Sequence, residues 1–472
     1  MNRDYTRKKN HPVEEDTIAA ISTPYGESGI GIVRMSGSLA ESIAKRIFRA
    51  KKGEVPYFIS HHFHYGEIVD PKDGHVIDEV LLVSMKAPKT YTREDVVEIH
   101  CHGGYFLLQK VLELVLREGA RLAQPGEFTK RAFLNGRIDL TQAEAVIDLI
   151  KAKTKESLEI ANQQLRGNLS REMLAIKEQL VKDLTLIEAH IDFPEEEIEP
   201  ISYEELKKDL NSITAKVDEW LLSYEEGKFF KEGISCAIAG KTNVGKSSLL
   251  NVLLKEERAI VTPIPGTTRD VIEEVINIHG IPIRLIDTAG IRGAKDIIEK
   301  EGIRRAKERI GRADLIILVL DGSIELEAED IEIFEEVKEK KKVICVNKKD
   351  LPIRLSIDDL KRNFKQDPIV FTSALKNQGI DELKEAIYST VLKRGVRFSP
   401  EHLIITNVRH KEILTKMKES LYNVIEELKE GESLEFIAFE IRLALEALSE
   451  MVGETTTEEI LNRIFEQFCI GK

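Results

Sequence analysis

A short apolar strand leads into a glycine-rich loop that is followed directly by a helical segment. The strand spans residues 235–239, and the loop reads Gly-Lys-Thr-Asn-Val-Gly-Lys-Ser from Gly240 to Ser247. This strand–GxxxxGKS–helix order is typical of phosphate-binding loops, because the glycines let backbone N–H groups curl around phosphate oxygens and the helix N-terminus adds partial positive charge. We predict that Lys246 reaches the β- and γ-phosphates of a nucleotide and that Ser247 ligates Mg²⁺.

Strands and helices alternate from residue 231 to residue 391, which predicts a parallel, doubly wound sheet. Four further motifs follow the loop in chain order. They are Pro265-Gly-Thr-Thr268 before the second strand, Asp287-Thr-Ala-Gly290 after the strand 281–286, Asn347-Lys-Lys-Asp350 after 343–346 and Ser373-Ala-Leu375 after 369–372.

The side chains of these motifs suit a guanine nucleotide with Mg²⁺. Asp350 can accept hydrogen bonds from both N1–H and the 2-amino group of guanine, a pair of donors that adenine lacks. Asp287 can hold the Mg²⁺ shell, and Gly290 can donate to a γ-phosphate. The five motifs together resemble the translation-factor class of GTPases, in which a switch threonine, here Thr268, would meet Mg²⁺. The predicted GTP-binding residues are Asn243, Val244, Gly245, Lys246, Ser247, Ser248, Thr262, Thr267, Thr268, Asp287, Thr288, Ala289, Gly290, Asn347, Lys348, Asp350, Ser373, Ala374 and Leu375.

The residue after Asp-x-x-Gly differs from that of Ras-like enzymes, which place a water-orienting glutamine there. Ile291 occupies the position and cannot orient water. Either the chain hydrolyses GTP negligibly by itself, or another residue supplies the polarising group.

Length and charge set broad limits on the rest of the chain. Its 472 residues suffice for about three domains of roughly 150 residues each. With 69 basic and 82 acidic residues, the net charge of −13 argues against holding nucleic acid by phosphate neutralisation alone, and we predict no DNA partner.

Hydrophobic patterning predicts a cytoplasmic protein without a membrane span. The longest clean apolar stretch, 315–320, is far short of the ~20 residues that a spanning helix requires. Residues 1–16 contain no apolar core of a secretory signal. The four cysteines have no metal-type or disulfide-type spacing, so we interpret them as reduced thiols.

Apolar residues at helical spacing occur on both sides of the alternating region. One stripe from 158 to 187 predicts a single helix of about eight turns that ends at Pro194, and a second stripe runs from 206 to Gly227. Helical texture resumes beyond 413. Because isolated amphipathic stripes must bury one another, we expect the flanking segments to form one helical domain into which the α/β unit is inserted.

Residues 16–135 have short apolar runs separated by Gly and Pro, which indicates mixed α/β structure. The run 96–102 alternates, and this places Val97, Ile99 and Cys101 towards a core. Glu98, His100 and His102 then share the other face. A metal site needs a third clear ligand, so we interpret these three as ordinary polar residues.

Specific blocks outside the nucleotide motifs resemble one family, the tRNA modification GTPases called MnmE or TrmE. The blocks are Thr17-Ile-Ala-Ala-Ile-Ser-Thr-Pro with Gly29-Ile-Gly-Ile-Val-Arg34, the stretches 91–104 and 125–139, Ile191-Asp-Phe-Pro-Glu-Glu, and the terminal Cys469-Ile-Gly-Lys472. Only residues 1–15 lie outside the resemblance.

The resemblance implies a multidomain α/β plus all-α fold, with a Ras-like doubly wound G domain inserted in a helical domain. The expected domains are an α+β tetrahydrofolate-binding and dimerisation domain (1–137), the first part of the helical domain (138–230), the G domain (231–391) and the second helical part (392–472).

The resemblance also implies chemistry on tRNA. Such proteins act with a FAD-containing flavoprotein, MnmG, to place a carboxymethylaminomethyl or aminomethyl group on C5 of the wobble uridine, using a 5-formyl- or 5,10-methylene-tetrahydrofolate donor. By position, the folate contacts map to Arg34, Glu98, Arg137 and Lys472. We expect a homodimer built through the N-terminal domain, and a heterotetramer with the flavoprotein. Cys469 is either a nucleophile or a buried thiol.

A potassium ion is the further implication for hydrolysis. The family's ligand positions correspond to Asn243 and the backbone oxygens of Thr262, Ile264 and Thr267, and its water-orienting acid corresponds to Glu299.

Two alternative functions stay open at this point: a ribosome-assembly or RNA-chaperone GTPase, and a non-catalytic folate-sensing scaffold.

Overall fold

The computed structural model describes most of the chain. The described residues are 16–24, 26–51, 58–193, 202–257, 274–286, 311, 313–364, 367–392, 402–430 and 433–472.

A seven-stranded sheet forms the N-terminal part, in the order β3-β4-β5-β6-β2-β1-β7. Its strands are β1 (Ile18–Ile21), β2 (Ser28–Ser36), β3 (Phe48–Ala50), β4 (Phe63–Val69), β5 (Val76–Met85), β6 (Val96–Gly103) and β7 (Arg121–Leu122). Neighbouring strands are antiparallel except β1 and β7. Helices α1 (Ala40–Ile47) and α2 (Tyr105–Arg117) bury their apolar stripes against one face of the sheet. The opposite face of the sheet is not covered by α1 or α2.

The predicted alternation along β6 is confirmed. Val97, Ile99 and Cys101 are buried, whereas Glu98 and His100 are partly exposed and His102 is exposed. Arg34 on β2 lies directly opposite Glu98 in the register, so both side chains project from the same face.

A second sheet of six strands follows, in the order β13-β12-β11-β8-β10-β9. The strands are β8 (Ile234–Ala239), β9 (Glu274–Ile278), β10 (Ile281–Leu285), β11 (Leu315–Asp321), β12 (Lys341–Asn347) and β13 (Ile369–Phe371). All neighbours are parallel except the β9–β10 hairpin. The associated helices are α8 (Lys246–Glu257), α9 (Ala328–Glu336), α10 (Ile357–Asn363) and α11 (Ile380–Val391). The predicted parallel, doubly wound G domain is confirmed.

Helices before and after the G domain share one apolar core, as predicted for an inserted domain. The helices on the N-terminal side are α3 (Glu127–Leu134), α4 (Leu140–Lys151), α5 (Lys155–Leu165), α6 (Asn168–Asp192) and α7 (Tyr203–Glu232), and those on the C-terminal side are α12 (Val408–Glu430), α13 (Leu434–Val452) and α14 (Glu458–Phe465). Residues of α6, α7, α12 and α13 together make up this core. No described helix is both long enough and apolar enough to cross a membrane.

The single helix predicted over 158–187 was wrong, because the chain breaks there into α5 and α6. Gly167 at the break has φ +77°, in the left-handed region that glycine adopts without strain. The amide Nε2 of Gln142 donates to the carbonyl of Leu165 at 2.9 Å and satisfies the end of α5. The apolar spacing continues across the break, so periodicity alone does not reveal it.

The second helix does not stop at Gly227 as predicted, since α7 continues to Glu232. A Cβ atom at position 227 would lie 2.2 Å from the carbonyl oxygen of Ile405. The glycine therefore permits close packing between α7 and the segment that precedes α12, and it does not end the helix.

The G domain rests on the helical domain through the turn of the β9–β10 hairpin. Thr154 Oγ1, at the N-terminus of α5, donates to the carbonyl of Gly280 at 2.8 Å. Ile160 of α5 and Phe230 of α7 belong to the apolar core of the G domain. The two domains are thus joined by side-chain packing as well as by the chain.

Candidate functional site

The phosphate loop curls because three of its residues adopt positive φ angles. Gly240 has φ +138°, Asn243 has φ +65° and Gly245 has φ +99°. A Cβ atom at position 240 would lie 2.3 Å from the carbonyl oxygen of Val319, so only glycine fits between β8 and β11. Helix α8 then begins at Lys246, and its N-terminus faces the loop.

The side chain of Lys246 reaches back across the phosphate loop to its first residues. Its Nζ donates to the carbonyl oxygens of Gly240 at 2.7 Å and Lys241 at 2.5 Å. Burial lowers the pKa of Lys246, and the charge of Glu329 opposes this shift. Ser247 and Ser248 are exposed in the first turn of α8. Lys246 and the two serines thus lie together where the loop meets the N-terminus of α8.

Asn347 joins three of the predicted motifs. Its Nδ2 donates to the carbonyl of Val244 in the phosphate loop at 2.9 Å. Its Oδ1 accepts from the backbone N–H of Ala374 at 3.0 Å and from Thr372 Oγ1 at 3.3 Å. This buried amide connects the ends of β12 and β13 to the loop after β8, so three motifs that are far apart in sequence form one edge.

The predicted base-contact residues lie beside Asn347. Asp350 accepts a hydrogen bond from Ser373 Oγ at 2.5 Å, which orients its carboxylate. Lys348 has φ +64° and pairs with Asp321 at 2.5 Å. Burial raises the pKa of Asp321, but hydrogen bonds from Lys348 and Ser323 lower it overall. Leu375 is 80% exposed next to buried Ala374.

The remaining nucleotide-site predictions fall outside the described residues. These are Thr262, Ile264, Thr267, Thr268, Asp287, Thr288, Ala289, Gly290, Ile291 and Glu299.

A second polar cluster lies on the outer face of the N-terminal sheet. Arg34 Nε donates to Glu98 Oε1 at 2.8 Å, and His100 Nε2 lies 3.3 Å from Glu98 Oε2. The guanidinium of Arg34 also lies 5.7 Å from the ring centroid of Phe128. Both charged side chains are less than one-fifth exposed, so the pair lies in a recess between β2, β6 and α3.

The C-terminus of the same chain closes this recess. Arg34 Nη1 donates to the carbonyl of Gly471 at 3.4 Å, and the backbone N–H of Phe128 donates to the carbonyl of Lys472 at 3.2 Å. Gly471 has φ +92°, and a Cβ atom there would lie 2.5 Å from the carbonyl of Ile21. The structure thus brings Gly471, the residue before Lys472, to Arg34, which itself pairs with Glu98. Arg34, Glu98 and Lys472 are three of the four predicted folate contacts.

Arg137, the fourth predicted contact, stacks at 4.7 Å on the ring of Tyr91 and donates to its carbonyl at 3.2 Å. Burial raises the pKa of Tyr91, while its bond to Thr129 and the charges of Arg137 and Arg34 act in the opposite direction. Sequence reasoning did not single out Tyr91 as a site residue, although it begins one of the family blocks.

Cys469 is exposed, whereas Cys101, Cys236 and Cys345 are buried free thiols. The buried alternative for Cys469 was therefore wrong. The backbone N–H of Gly126 donates to the carbonyl of Cys469 at 3.4 Å, so the backbone of this residue is held near α3.

The three polar residues of β6 have different partners. His102 Nδ1 lies 2.7 Å from Asp78, whose hydrogen bond and charge raise the pKa of that histidine, whereas His100 faces Glu98. Within the described ranges, no group of three or more His, Cys, Asp or Glu side chains is arranged to hold a metal ion.

Two family models match the chain. The model described as “MnmE helical domain” matches residues 140–469, and the model described as “GTP-binding protein TrmE N-terminus” matches residues 17–137.

Curated relatives match along nearly the whole chain. The “tRNA modification GTPase MnmE” of Geobacter sulfurreducens is 50% identical over 458 residues, covering 97% of this chain and 99% of the relative. The protein of the same name from Thermoanaerobacter pseudethanolicus is 49% identical with the same coverage.

Solved structures match parts of the chain. Era from Aquifex aeolicus bound to GDP and AlF4⁻ is 30% identical with a TM-score of 0.27, covering 40% of this chain and 66% of Era. The G domain of the T. maritima FeoB transporter is 30% identical with a TM-score of 0.26, covering 34% of this chain and 99% of that domain. Because both TM-scores are low, the family assignment rests on the sequence matches.

Proposed function

The chain belongs to the MnmE (TrmE) family of tRNA modification GTPases, and we propose that it adds a carboxymethylaminomethyl or aminomethyl group to C5 of the tRNA wobble uridine. GTP binding and a GTPase role in tRNA modification follow from family membership. A FAD-containing partner related to MnmG and a 5-formyl- or 5,10-methylene-tetrahydrofolate donor complete the proposed reaction, which takes place in the cytoplasm.

The recess around Arg34 is the observation that supports the folate step. Glu98 presents two carboxylate oxygens side by side, which suits the adjacent amide and amino donors of a pterin ring. Arg34 supplies a positive charge, and the ring of Phe128 beside it offers an apolar surface. The C-terminal carbonyls of Gly471 and Lys472 reach the same recess, so the exposed thiol of Cys469 is held close to the proposed donor site.

Mass spectrometry of tRNA nucleosides tests the overall function. Cells that lack this protein should lose the C5-modified wobble uridine, and the intact gene should restore it. Unchanged nucleosides in the deletion strain would refute the proposal and would favour a ribosome-assembly role for the GTPase.

Calorimetry with 5-formyltetrahydrofolate tests the recess directly. Glu98→Ala should weaken folate binding at least about tenfold, because charge-assisted hydrogen bonds contribute ~1.5–3 kcal/mol each. GTP affinity should be unchanged. Glu79→Ala is a matched control, since this exposed glutamate lies on the neighbouring strand β5. Equal folate binding by the wild-type protein and Glu98→Ala would contradict the assignment of Glu98 as a folate contact.

The outer face of the N-terminal sheet supports the proposed homodimer. Phe63, Tyr65 and Leu81 project from this face and are 59%, 53% and 44% exposed, and such apolar clusters on a sheet favour protein contacts. The contact of Arg34 with Gly471, the residue before Lys472, occurs within one chain, so the approach of the terminal residues to the recess does not require a second copy. A monomer in light scattering at micromolar concentration would contradict the homodimer, and with it the heterotetramer.

For hydrolysis we propose Mg²⁺ at Ser247 and Thr268, K⁺ at Asn243 and the backbone oxygens of Thr262, Ile264 and Thr267, and Glu299 as the acid that orients water. The left-handed Asn243, exposed in the loop, and the exposed Ser247 in the first turn of α8 fit these roles. K⁺ would supply positive charge beside the transferring phosphoryl group.

Turnover in different salts tests the cation. Hydrolysis should be much faster in K⁺ than in Na⁺, and Asn243→Ala should abolish this difference. Glu299→Ala should slow hydrolysis severely while GTP binding stays intact. Equal rates in both salts would exclude the potassium site, and full activity of Glu299→Ala would exclude the role of the acid.

A further inference from the structure

Lys241, the second residue of the phosphate loop, directs its side chain into the protein. Only 6% of this residue is exposed. Its Nζ lies 2.8 Å from Asp330 Oδ2 and also contacts the carboxylate of Glu327. A lysine in a glycine-rich loop is usually expected to face the phosphates, and this one is instead paired with two acids behind the loop.

Both acids belong to the N-terminus of α9. Glu327 is the N-cap, and its backbone carbonyl accepts from the N–H of Asp330 at 3.1 Å, while Asp330 Oδ2 accepts from the N–H of Glu327 at 3.0 Å. Asp330 is 3% exposed, and its Oδ1 has no hydrogen-bond partner among the described residues. A carboxylate this deeply buried depends on the charge of Lys241 for compensation.

The backbone of Lys241 is held as well. Its carbonyl accepts from Lys246 Nζ, and the preceding Gly240 is confined by the carbonyl of Val319. The peptide that follows Gly240 is therefore held on one side by Lys246 of the same phosphate loop and on the other by the cap of α9. No other residue of the loop makes an ion pair in the described structure.

The lysine carries its charge in this position. Burial alone would lower the pKa of Lys241, but the hydrogen bonds that it donates to Asp330 and Glu327 raise this pKa overall. Because two carboxylates offset that charge, the side chain contributes little attraction for phosphate. Its contribution is to the conformation of the loop.

We propose that Lys241 is a positioning residue for nucleotide binding. Its ion pair with Asp330 and Glu327 anchors the phosphate loop to α9, so that the N–H groups of the loop are oriented before the phosphates arrive. Breaking this pair speeds the release of nucleotide even when the protein stays folded.

Stopped-flow release of GDP carrying an N-methylanthraniloyl fluorophore from the full chain tests this proposal. Lys241→Met should raise the dissociation rate about tenfold or more, because the charge-assisted contacts with Asp330 and Glu327 are both lost. Lys241→Arg keeps the charge and should release GDP at close to the wild-type rate. Lys255→Met removes a lysine from the exposed surface of α8 and should leave the rate unchanged.

A double variant separates positioning from stability. Lys241→Met alone leaves the carboxylate of Asp330 buried without its partner, so its unfolding temperature should fall. Adding Asp330→Asn removes the second charge and keeps an acceptor for the N-cap, so the unfolding temperature should recover. If the lysine positions the loop, release of GDP from the double variant remains fast. Recovery of slow release together with the unfolding temperature would overturn the proposal, as would a wild-type rate in Lys241→Met.

Discussion

The nucleotide-binding edge and the recess around Arg34 are assembled in different ways. At the nucleotide edge, Asn347 connects three short motifs that each follow a strand of one sheet. In the recess, Arg34 contacts Gly471, which lies 437 positions away along the chain. A parallel sheet gathers its strand ends at one edge whatever the rest of the chain does, whereas the recess needs the C-terminus to return to the N-terminal sheet.

This difference decides what each region depends on. The nucleotide edge depends on local backbone conformations, such as the positive φ of Gly240, Asn243 and Gly245. The recess depends on the packing of the helical domain that carries α14 and the terminal residues back to α3. Changes in the helical core should therefore affect the recess more than the nucleotide edge.

The largest expected effect is at the nucleotide edge. Asp350→Asn should weaken GTP binding at least about 100-fold, since two charge-assisted hydrogen bonds to guanine are lost. Xanthosine triphosphate should bind the variant better than the wild type does, because an asparagine amide can donate to the 2-oxo group of xanthine. Competition binding with both nucleotides measures this exchange.

The control for Asp350→Asn is Asp358→Asn, an exposed position at the start of α10. GTP affinity should be unchanged there. Tight GTP binding by Asp350→Asn would mean that the edge does not read the base through this carboxylate.

The next effect concerns the long-range contacts that hold the helical domain together. Glu144 is buried and accepts from Arg409 at 2.7 Å and from His410 at 2.7 Å, across more than 260 positions. Burial alone would raise the pKa of Glu144, but the charges of Arg409 and His410 hold it well below its usual range. Glu144→Ala should lower the free energy of unfolding by about 3 kcal/mol, because the partly buried guanidinium of Arg409 and the buried ring of His410 lose their hydrogen-bond partner.

Denaturant unfolding of Glu144→Ala measures this loss, with Glu178→Ala on the exposed face of α6 as its control. Because the folded pKa is depressed, the stabilisation by Glu144 is present above its unfolded pKa of about 4.3 and is lost as the pH falls. A variant as stable as the wild type at pH 7 would show that the pair contributes nothing net.

A smaller effect is expected when the C-terminus is displaced from the recess. Gly471→Ala introduces a Cβ 2.5 Å from the carbonyl of Ile21 at a residue with φ +92°, so the terminal residues cannot keep their position. Folate affinity should fall about tenfold, roughly the loss of one hydrogen-bonded contact, while GTP affinity stays the same. Isothermal calorimetry with both ligands provides the measurement.

Gly29→Ala is the matched control, since a Cβ atom there meets nothing within 4 Å. If Gly471→Ala and Gly29→Ala bind folate equally well, the C-terminus has no part in the recess. If Gly471→Ala weakens GTP binding too, the recess and the nucleotide edge are coupled, which contradicts the independence of the two regions.

The smallest effect depends on pH and lies between α6 and α7. Burial and the neighbouring Asp209 raise the pKa of Asp183 to about 6, although Gln179 and Lys182 act in the opposite direction. A raised pKa contributes stability that is present below the unfolded value of about 3.9 and is lost as the pH rises through 6. At pH 7.5, Asp183→Asn should therefore be more stable than the wild type by about 1 kcal/mol, allowing for partial screening by solvent.

Thermal unfolding of both proteins at pH 5 and pH 7.5 checks this. The advantage of Asp183→Asn should shrink at the lower pH, because the wild-type carboxyl is then largely protonated. The same advantage at both pH values would mean that the effect is one of packing and not of titration.

The sequence was most informative where a motif and its strand are contiguous. The strands that precede Gly240, Asn347 and Ser373 were predicted within a residue or two, because apolar runs and glycine-rich loops are local signals. The break at Gly167 was missed, since the apolar stripe keeps its phase from α5 into α6. Gly227 was wrongly predicted to end a helix. It lies inside α7, where the absence of a side chain lets the carbonyl of Ile405 pack closely.

The sequence by itself therefore determined the G-domain fold, the guanine-nucleotide motifs and the family, since each of these is recognised from short contiguous segments. Only the tertiary structure placed the carbonyl of Gly471 against Arg34, stacked Arg137 on Tyr91 and turned Lys241 towards Asp330. These contacts join residues between 46 and 437 positions apart. No short sequence pattern specifies these contacts. They depend on how separate elements pack and on which buried charges are compensated by an opposite charge.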